Sequence, residues 1–183
     1  MREPLAVTDE CKLRLLEEDD AEELYRLIEA NRPYLARWMP WAAAQTREST
    51  DEFVRASRRQ AAADDGFQAA LLCDGAINGI VGFHSVNWQH GSTTIGYWLD
   101  EQHQGRGLMT RAVRVLVDLA FVEWGLHRVE IRVATNNDRS RAIPERLGFR
   151  EEGVQREAEQ IGERYNDLAV YGLLAREWVQ DPA

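Results

Sequence analysis

Leu108, Ala112, Val115, Leu116, Leu119 and Ala120 recur at the three- and four-residue spacing of an amphipathic helix. The run just upstream, Thr93 to Leu99 (TTIGYWL), is rich in β-branched and aromatic residues and predicts a strand. His127 to Thr135 (HRVEIRVAT) alternates, with Val129, Ile131 and Val133 on one face and Arg128, Glu130 and Arg132 on the other. Lys12 to Leu16 reads as the first strand. Asp19 or Asp20 caps a helix carrying Leu24, Leu27 and Ile28, and Pro33 to Met39 predicts a second, short helix. Ser49-Thr50-Asp51-Glu52 is a capping box opening a helix to about Ala63. Phe67 to Cys73 and Ala76 to Val86 form a hairpin across Asp74-Gly75. Asn137 or Asp138 caps a further short helix, and Gly148 suits the left-handed residue that ends it. Arg150 to Glu157 and Arg164 to Leu174 close the sheet. The predicted order is βααα-βββ-αβ-αββ, strands interspersed with helices as in an α/β fold.

The chain has 183 residues, enough for one domain over 1–183 with a full core. Ala61 to Gly66 is too short to separate domains. No apolar run approaches the roughly 18 residues of a membrane span, and Met1-Arg2-Glu3-Pro4 does not read as a signal peptide. Cys11 and Cys73 fall on separate predicted strands and read as structural thiols of a cytoplasmic protein rather than a disulfide framework. No Cys/His spacing suggests a metal site. The net charge of −9 argues against nucleic-acid binding, which needs a basic surface. An acidic surface could attract a basic partner.

Chemistry enters at Gln102-His103-Gln104-Gly105-Arg106-Gly107, between the strand and the helix. A helix opened by two glycines offers unpaired N–H groups and the positive end of its dipole, and a missing Cβ lets an anion approach them. The dinucleotide fingerprint fails, because Thr110 stands where its third glycine belongs and no acidic residue follows at the ribose spacing. The Walker pattern fails for want of Gly-Lys-Ser/Thr. Gln-x-x-Gly-x-Gly remains, reading either as an anion cradle or as a glycine-rich turn with no ligand. Arg106, Arg111, Arg139 and Arg141 make positive charge locally dense, although each also suits a solvated helix face.

Downstream, Asn137-Asp138-Arg139-Ser140 precedes a helix ending Leu147-Gly148-Phe149. Together the two constellations resemble the GCN5-related N-acetyltransferases (GNAT family) over nearly the whole chain. The likeness is greatest to the bacterial ribosomal-protein alanine/serine N-acetyltransferases, through Asn31 to Trp41, Gly96-Tyr97-Trp98-Leu99, Ser140 and the terminal run from Arg164 to Trp178. The resemblance implies the GNAT acyl-CoA N-acyltransferase fold, a mixed sheet with helices on both faces and two strands splayed apart, and acetyl-CoA as cosubstrate without a metal. It assigns main-chain contacts with the pantetheine arm to Tyr97, Trp98 and Leu99, with an oxyanion donor among their N–H groups and Leu99 as the one named. It assigns phosphate contacts to Gln104, Gly105, Arg106, Gly107, Met109 and Thr110, a pantetheine contact to Asn137, and close packing to Gly96. Many relatives place a tyrosine acid seven residues after the asparagine. Here that position is Pro144, which has no proton to give and should distort the helix. Ser140 is then the candidate acid toward the leaving thiolate, its other reading being a local cap.

The implied acceptor is a primary amine. At pH 7 neutralising an α-amine costs about 1 kcal/mol and a lysine about 4.6 kcal/mol, so a weak base matches α-amines. The implied reaction is acetyl transfer to a protein N-terminus, foremost that of a ribosomal protein. The alternatives are a small-molecule acceptor (antibiotic, polyamine or aminoacyl nucleotide) and a non-catalytic acyl-CoA-binding module. Trp38, Trp41, Trp88, Tyr165 and Asp167 are the candidate acceptor-site residues, with core packing the competing reading for each tryptophan. The base stays unassigned among Glu130, His84 and His90. By fold-level analogy the terminal strands could support a homodimer.

Overall fold

The computed structural model describes residues 3–179, so Met1 and Arg2 of the amino-terminal tetrapeptide lie outside the described residues. Eight strands form one sheet: β1 (Leu5–Ala6), β2 (Cys11–Leu15), β3 (Gln68–Cys73), β4 (Ala76–Asn87), β5 (Ser92–Leu99), β6 (Arg128–Ala134), β7 (Arg150–Ile161) and β8 (Arg164–Leu174). Their spatial order is β1-β2-β3-β4-β5-β6-β8-β7. Helices α1 (Asp20–Leu35) and α2 (Arg47–Ala62) cover one face, and α3 (Leu108–Asp118) and α4 (Asp138–Arg146) the other. Among the described residues, no helix is long and apolar enough to cross a membrane.

All neighbouring strands are antiparallel except β5 and β6. These two pair only through Ser92–Arg128, Thr93–Val129 and Thr94–Glu130. Beyond Thr94, β5 stays bonded to β4 as far as Gly79–Leu99, while β6 stays bonded to β8 over its length. The sheet thus consists of two continuous halves hinged at three residue pairs, with a V-shaped gap between them. The expected splay is present.

Alternation sets the two cores. Val81, Phe83, Ile95, Val129, Ile131, Val133, Ala169 and Tyr171 face α3, where Leu108, Ala112, Val113 and Leu116 are buried. Ala70, Leu72 and Ile80 face α1 and α2, against Leu24, Ile28, Leu35 and Val54. At about 25 cal/mol per Å² of apolar area, each fully buried leucine or isoleucine contributes roughly 1.5–3 kcal/mol. Trp124 packs edge-on against Phe67 and tilted against Phe83, and Trp178 donates Nε1–H to Asp118 at 2.7 Å.

Several local expectations are corrected. Pro33 lies inside the last turn of α1, so the two predicted helices up to Leu35 are one. There its missing N–H and ring interrupt only the closing turn, and the chain leaves the helix three residues later. Asp20 does not cap its own helix in the usual way. Its carboxylate accepts the Glu17 N–H at 2.7 Å and a two-pronged Arg14 guanidinium at 2.8 and 2.9 Å, binding β2 to α1. The box opening α2 sits one turn earlier than predicted, at Thr46 and Ser49, which exchange side-chain and backbone bonds. The Ser/Thr-rich segment offers both registers, and an extended Thr46 selects the first. The short β1 carried no periodicity to detect. The hairpin turn is as expected, with Asp74 and Gly75 both at positive φ (52° and 81°).

The cysteines are the clearest correction. Cys11 and Cys73 are directly opposite one another across β2 and β3, with Cα atoms 4.3 Å apart, and form a disulfide. Sequence placed both on strands but could not supply the register that makes them neighbours. The argument from free thiols to a reducing compartment therefore lapses. Titration of the unfolded, non-reduced protein is expected to find no free thiol, and reduction to release both. Because the bridge spans 62 residues, reduction should lower the unfolding free energy by at most about 4 kcal/mol on chain-entropy grounds. An unchanged denaturation midpoint in reductant would show that the bridge does not constrain the unfolded chain.

Candidate active site

The gap between β5 and β6 opens into a cleft of about 720 Å³. Tyr97, Trp98 and Leu99 form one wall, the start of α3 the upper end, and Asn137, Ser140 and Ile143 of the α4 region the other wall. Tyr34, Leu35, Trp38 and Met39, from the end of α1 and the turn after it, close the outer side. Two polar anchors hold this arrangement. The buried Asn31 accepts the Glu101 N–H at 3.0 Å, tying α1 to the loop before α3. Arg32 donates to the carbonyls of Ala42, Ala43 and Gln45, fixing the segment that carries Trp38 and Trp41.

At the upper end Gly107 is the residue before α3, with φ +73°, and no side chain caps the helix. Gly105 is also left-handed at φ +76°. A Cβ on either glycine would meet nothing within 4 Å, so open space lies before the uncapped N–H groups. Asp100 is buried, accepts the Gln102 N–H at 3.1 Å and contacts His103 Nδ1 at 2.8 Å, which sets the turn that presents the glycines. Arg111, Arg139 and Arg146 line the cleft, and among the described residues none has a carboxylate partner. Uncapped amides and three unneutralised guanidinium groups fit a diphosphate-bearing cosubstrate.

The sequence-derived contact residues do not all gather here. Gln104, Gly105, Gly107, Met109 and Thr110 line the cleft, as do Tyr97, Trp98, Leu99, Asn137 and Ser140. Arg106 does not. It lines a separate depression of about 350 Å³ beside the disulfide, shared with His103 and Arg111. Arg141 is also engaged elsewhere, donating to the Tyr171 hydroxyl at 2.9 Å, the Thr135 carbonyl at 3.1 Å and Glu151 at 3.1 Å. It anchors α4 to β8 and β7, a role that spacing alone does not reveal. Arg139 instead donates to Gln104 Oε1 at 2.9 Å, bridging the two walls. Arg146, Tyr34, Met39 and Ile143 also line the cleft; they lie in stretches that carry the resemblance, but nothing singled them out as contacts.

Ser140 sits in a coupled group. Asn137 caps α4 by accepting the Ser140 N–H at 3.2 Å. In a helix the Ser140 carbonyl would accept from residue 144, but Pro144 has no N–H to give. The Tyr97 hydroxyl takes that place and donates to the Ser140 carbonyl at 3.0 Å. Ser140 Oγ in turn donates to the Tyr97 oxygen at 3.3 Å. The helix runs through Pro144 without breaking, with the Ser140 carbonyl turned to the Tyr97 hydroxyl. Burial raises the Tyr97 phenol above its usual pKa, and its bond to Ser140 offsets only part of this, so it stays protonated and able to donate. Tyr97 thus contributes its side chain as well as its backbone. The Tyr171 hydroxyl, donating to Glu145 at 2.8 Å, fixes the far side of the same helix.

Among the candidate acceptor residues, Trp38 lines the cleft, and Trp41 lies against Trp98 with ring centres 6.2 Å apart. Trp88 does not join them. It lies beyond the far end of β4, packs on Trp124 at 5.7 Å and donates to the Asp64 carbonyl at 2.8 Å. Tyr165 is 56% exposed and does not line the cleft, although its neighbour Arg164 donates to the Arg37 carbonyl at 3.1 Å beside Trp38. Asp167 accepts the Glu157 N–H at 2.8 Å and so orders the irregular stretch of β7, where Glu157 has φ +50°. Of the candidate bases, Glu130 is held between Arg128 and Arg132 at 2.9 and 2.7 Å. His90 is exposed in the β4–β5 turn, where its N–H binds Asn87. His84 lies against Gly96. The described residues contain no cluster of His, Cys, Asp and Glu able to hold a metal.

Comparison with known proteins agrees with this geometry. The profile of the acetyltransferase (GNAT) domain matches residues 11–150. The chain is 38% identical over 174 residues to a putative ribosomal N-acetyltransferase, YdaF, of Bacillus subtilis (strain 168), covering 94% of this chain and 95% of that one. It is 27% identical over 175 residues to the ribosomal-protein-serine acetyltransferase of Escherichia coli (strain K12), covering 95% and 98%. Among solved structures, the microcin C7 self-immunity acetyltransferase MccE in complex with acetyl-CoA and AMP superimposes with a TM-score of 0.86. Its identity is 28%, over 92% of this chain and 94% of that one. With the splayed strands, the uncapped cradle and the family profile in agreement, the chain belongs to the GNAT acetyltransferase family and is an acetyl-CoA-dependent N-acetyltransferase.

Proposed function

We propose that the amine acceptor is the N-terminal α-amine of a ribosomal protein, acetylated by a single-domain enzyme in the cytoplasm. The observation that carries this reading is the outer end of the cleft. Trp38, Met39 and Trp98 line it, Trp41 extends the aromatic ledge, and Glu101 is the sole carboxylate among the described lining residues. Such a ledge suits the apolar backbone and small side chains of an extended chain end. A polyamine would call for several carboxylates. The names of the two curated relatives support the ribosomal acceptor. The net charge of −9 favours a basic protein partner over a nucleic acid. The exposed edge strand β7 offers a surface on which a second copy could pair to form a homodimer.

Acetyl-CoA supplies the activated acetyl group. The protein's part is to hold it and manage protons. The amides before α3 and the cleft arginines take the phosphates, and the free edge of residues 95–99 is open to main-chain pairing. A backbone N–H on that edge, with Leu99 the sequence-derived candidate, would stabilise the oxyanion, and the Ser140 hydroxyl would give a proton to the thiolate.

Three measurements test this assignment. Replacing Gly107 by valine should weaken acetyl-CoA binding at least about tenfold by calorimetry, because the Cβ strains a φ of +73° and holds the phosphates off. Undiminished affinity would remove the cradle. Ser140→Ala should lower kcat by about 10²-fold while leaving acetyl-CoA affinity intact, and full turnover would return Ser140 to a capping role. Acetyl transfer is then read by mass on peptides with Ala, Ser or Asp amino termini, polyamines, aminoglycosides and aminoacyl-sulfamoyl nucleotides. Mass gain on peptide α-amines is expected. Gain confined to a small molecule would replace the ribosomal acceptor.

A further inference from the structure

We propose that His84 is the general base that deprotonates the acceptor amine, working from the sheet face opposite Ser140. The inference rests on the acetyltransferase reading above and supplies the proton acceptor that reading lacks.

The placement follows from strand alternation. Tyr97 and Ile95 face α3, so Gly96 between them faces the other side. The His84 imidazole lies over Gly96 on that side. A Cβ on Gly96 would collide with Nε2 and meet Cε1 at 2.7 Å. Glycine at 96 therefore leaves room for the ring directly against the backbone of β5. The ring reaches this place because the β4–β5 register shifts between Phe83 and Val86, a bulge of the kind that re-aims a side chain. Gln60 fixes the bulge by donating to the carbonyls of Phe83 and His84, both at 2.8 Å. Asp65 fixes it by accepting the Val86 N–H at 3.0 Å.

Gly96 is also where the reaction should occur. Residues 92–94 of β5 are paired with β6, and the strands part just beyond, so Gly96 stands at the apex of the V. An arm anchored by its phosphates at α3 and laid along the free edge points its reactive end toward that apex. From the α3 side, Tyr97 and Ser140 reach the same level. On the other side the His84 ring is partly open to solvent, with Gln60 of α2 bonded to its carbonyl. Trp98 lies on the same face as Gly96, about 7 Å further along the strand, and leads to Trp41. An acceptor held on the tryptophan ledge would thus extend its amino group toward the imidazole.

The charged neighbours suit the role. Arg132 of β6 faces the ring, with its own charge shared with Glu130 at 2.7 Å. Asp65, in the turn after α2, is bonded to the Val86 N–H. Among the described residues neither ring nitrogen has a hydrogen-bond partner, so a lone pair is available. Desolvation and then the Arg132 charge lower the imidazole below the ordinary histidine range, which keeps it neutral at pH 7. A neutral imidazole suits an α-ammonium of pKa about 7.7–8.0 better than a lysine of about 10.4.

The protons balance. Imidazole takes one from the ammonium, and the freed lone pair forms the C–N bond at the thioester carbon. As the C–S bond breaks, the thiolate takes a proton through Ser140, and the second amine proton and the imidazolium proton leave to solvent and to restore the serine.

The test compares the wild-type chain with His84→Gln and His84→Ala, using acetyl-CoA and a serine-initiated peptide from pH 6 to 9.5. Expected is a fall in kcat of about 10²-fold or more at pH 7 with acetyl-CoA affinity unchanged. The deficit should shrink as pH rises past the amine pKa, since a neutral amine needs no base. Full activity at pH 7, a deficit equal at every pH, or lost acetyl-CoA binding would each overturn the proposal. If the wild-type chain acetylates only a small amine, the ribosomal acceptor alone fails, and the same comparison on that amine decides His84. A wild-type chain silent on every amine overturns both.

Discussion

Everything in the active site depends on β5 and β6 parting after three residue pairs. Each strand keeps a full partner on its other side, β4 for β5 and β8 for β6, so the sheet opens without breaking either half. What opening leaves bare is the edge of residues 95–99, backbone that would ordinarily be a liability. Here it is short, lies inside a cleft, and offers main-chain groups to an extended arm. The cradle at α3 lies at the mouth of the same gap, which makes cosubstrate length and gap depth a single geometric problem.

Pro144 shows how one substitution propagates. By withholding its N–H it leaves the Ser140 carbonyl without a helical donor, and Tyr97 takes the vacancy from across the cleft. A wall of the cleft is thereby stitched to the strand that borders it. Tyr171, Arg141 and Glu145 secure the other side of α4, so the helix is held between two phenols. The helix that looked weakest from its sequence is fastened at both faces.

On the proposed reading, the two faces of the sheet divide the proton chemistry. Ser140 and Tyr97 lie on the α3 side, where the leaving thiolate would form, whereas the acceptor ledge of Trp98 and Trp41 lies on the α1 side. Gly96 separates them by no more than backbone. An amine adding to the thioester carbonyl from the ledge side would form a tetrahedral adduct, and its collapse would release sulfur toward Ser140 without either strand moving.

Much of this was legible in the sequence, because it is local. Periodicity placed β2 to β8 and α3, the glycines placed the turn that opens α3, and the Asn-x-x-Ser pattern placed the start of α4 within one residue. Those signals arise from backbone and burial preferences that act over a few residues. The tertiary structure decided whatever depends on which segments become neighbours. Register joined Cys11 to Cys73, and the packing of α4 on β8 took Arg141 away from the cofactor cleft. The end of β4 carried Trp88 away from the cleft, the exit from α1 brought Trp38 into it, and a bulge turned His84 onto Gly96. Such placements follow from pairings between residues tens of positions apart, and no local pattern carries that information.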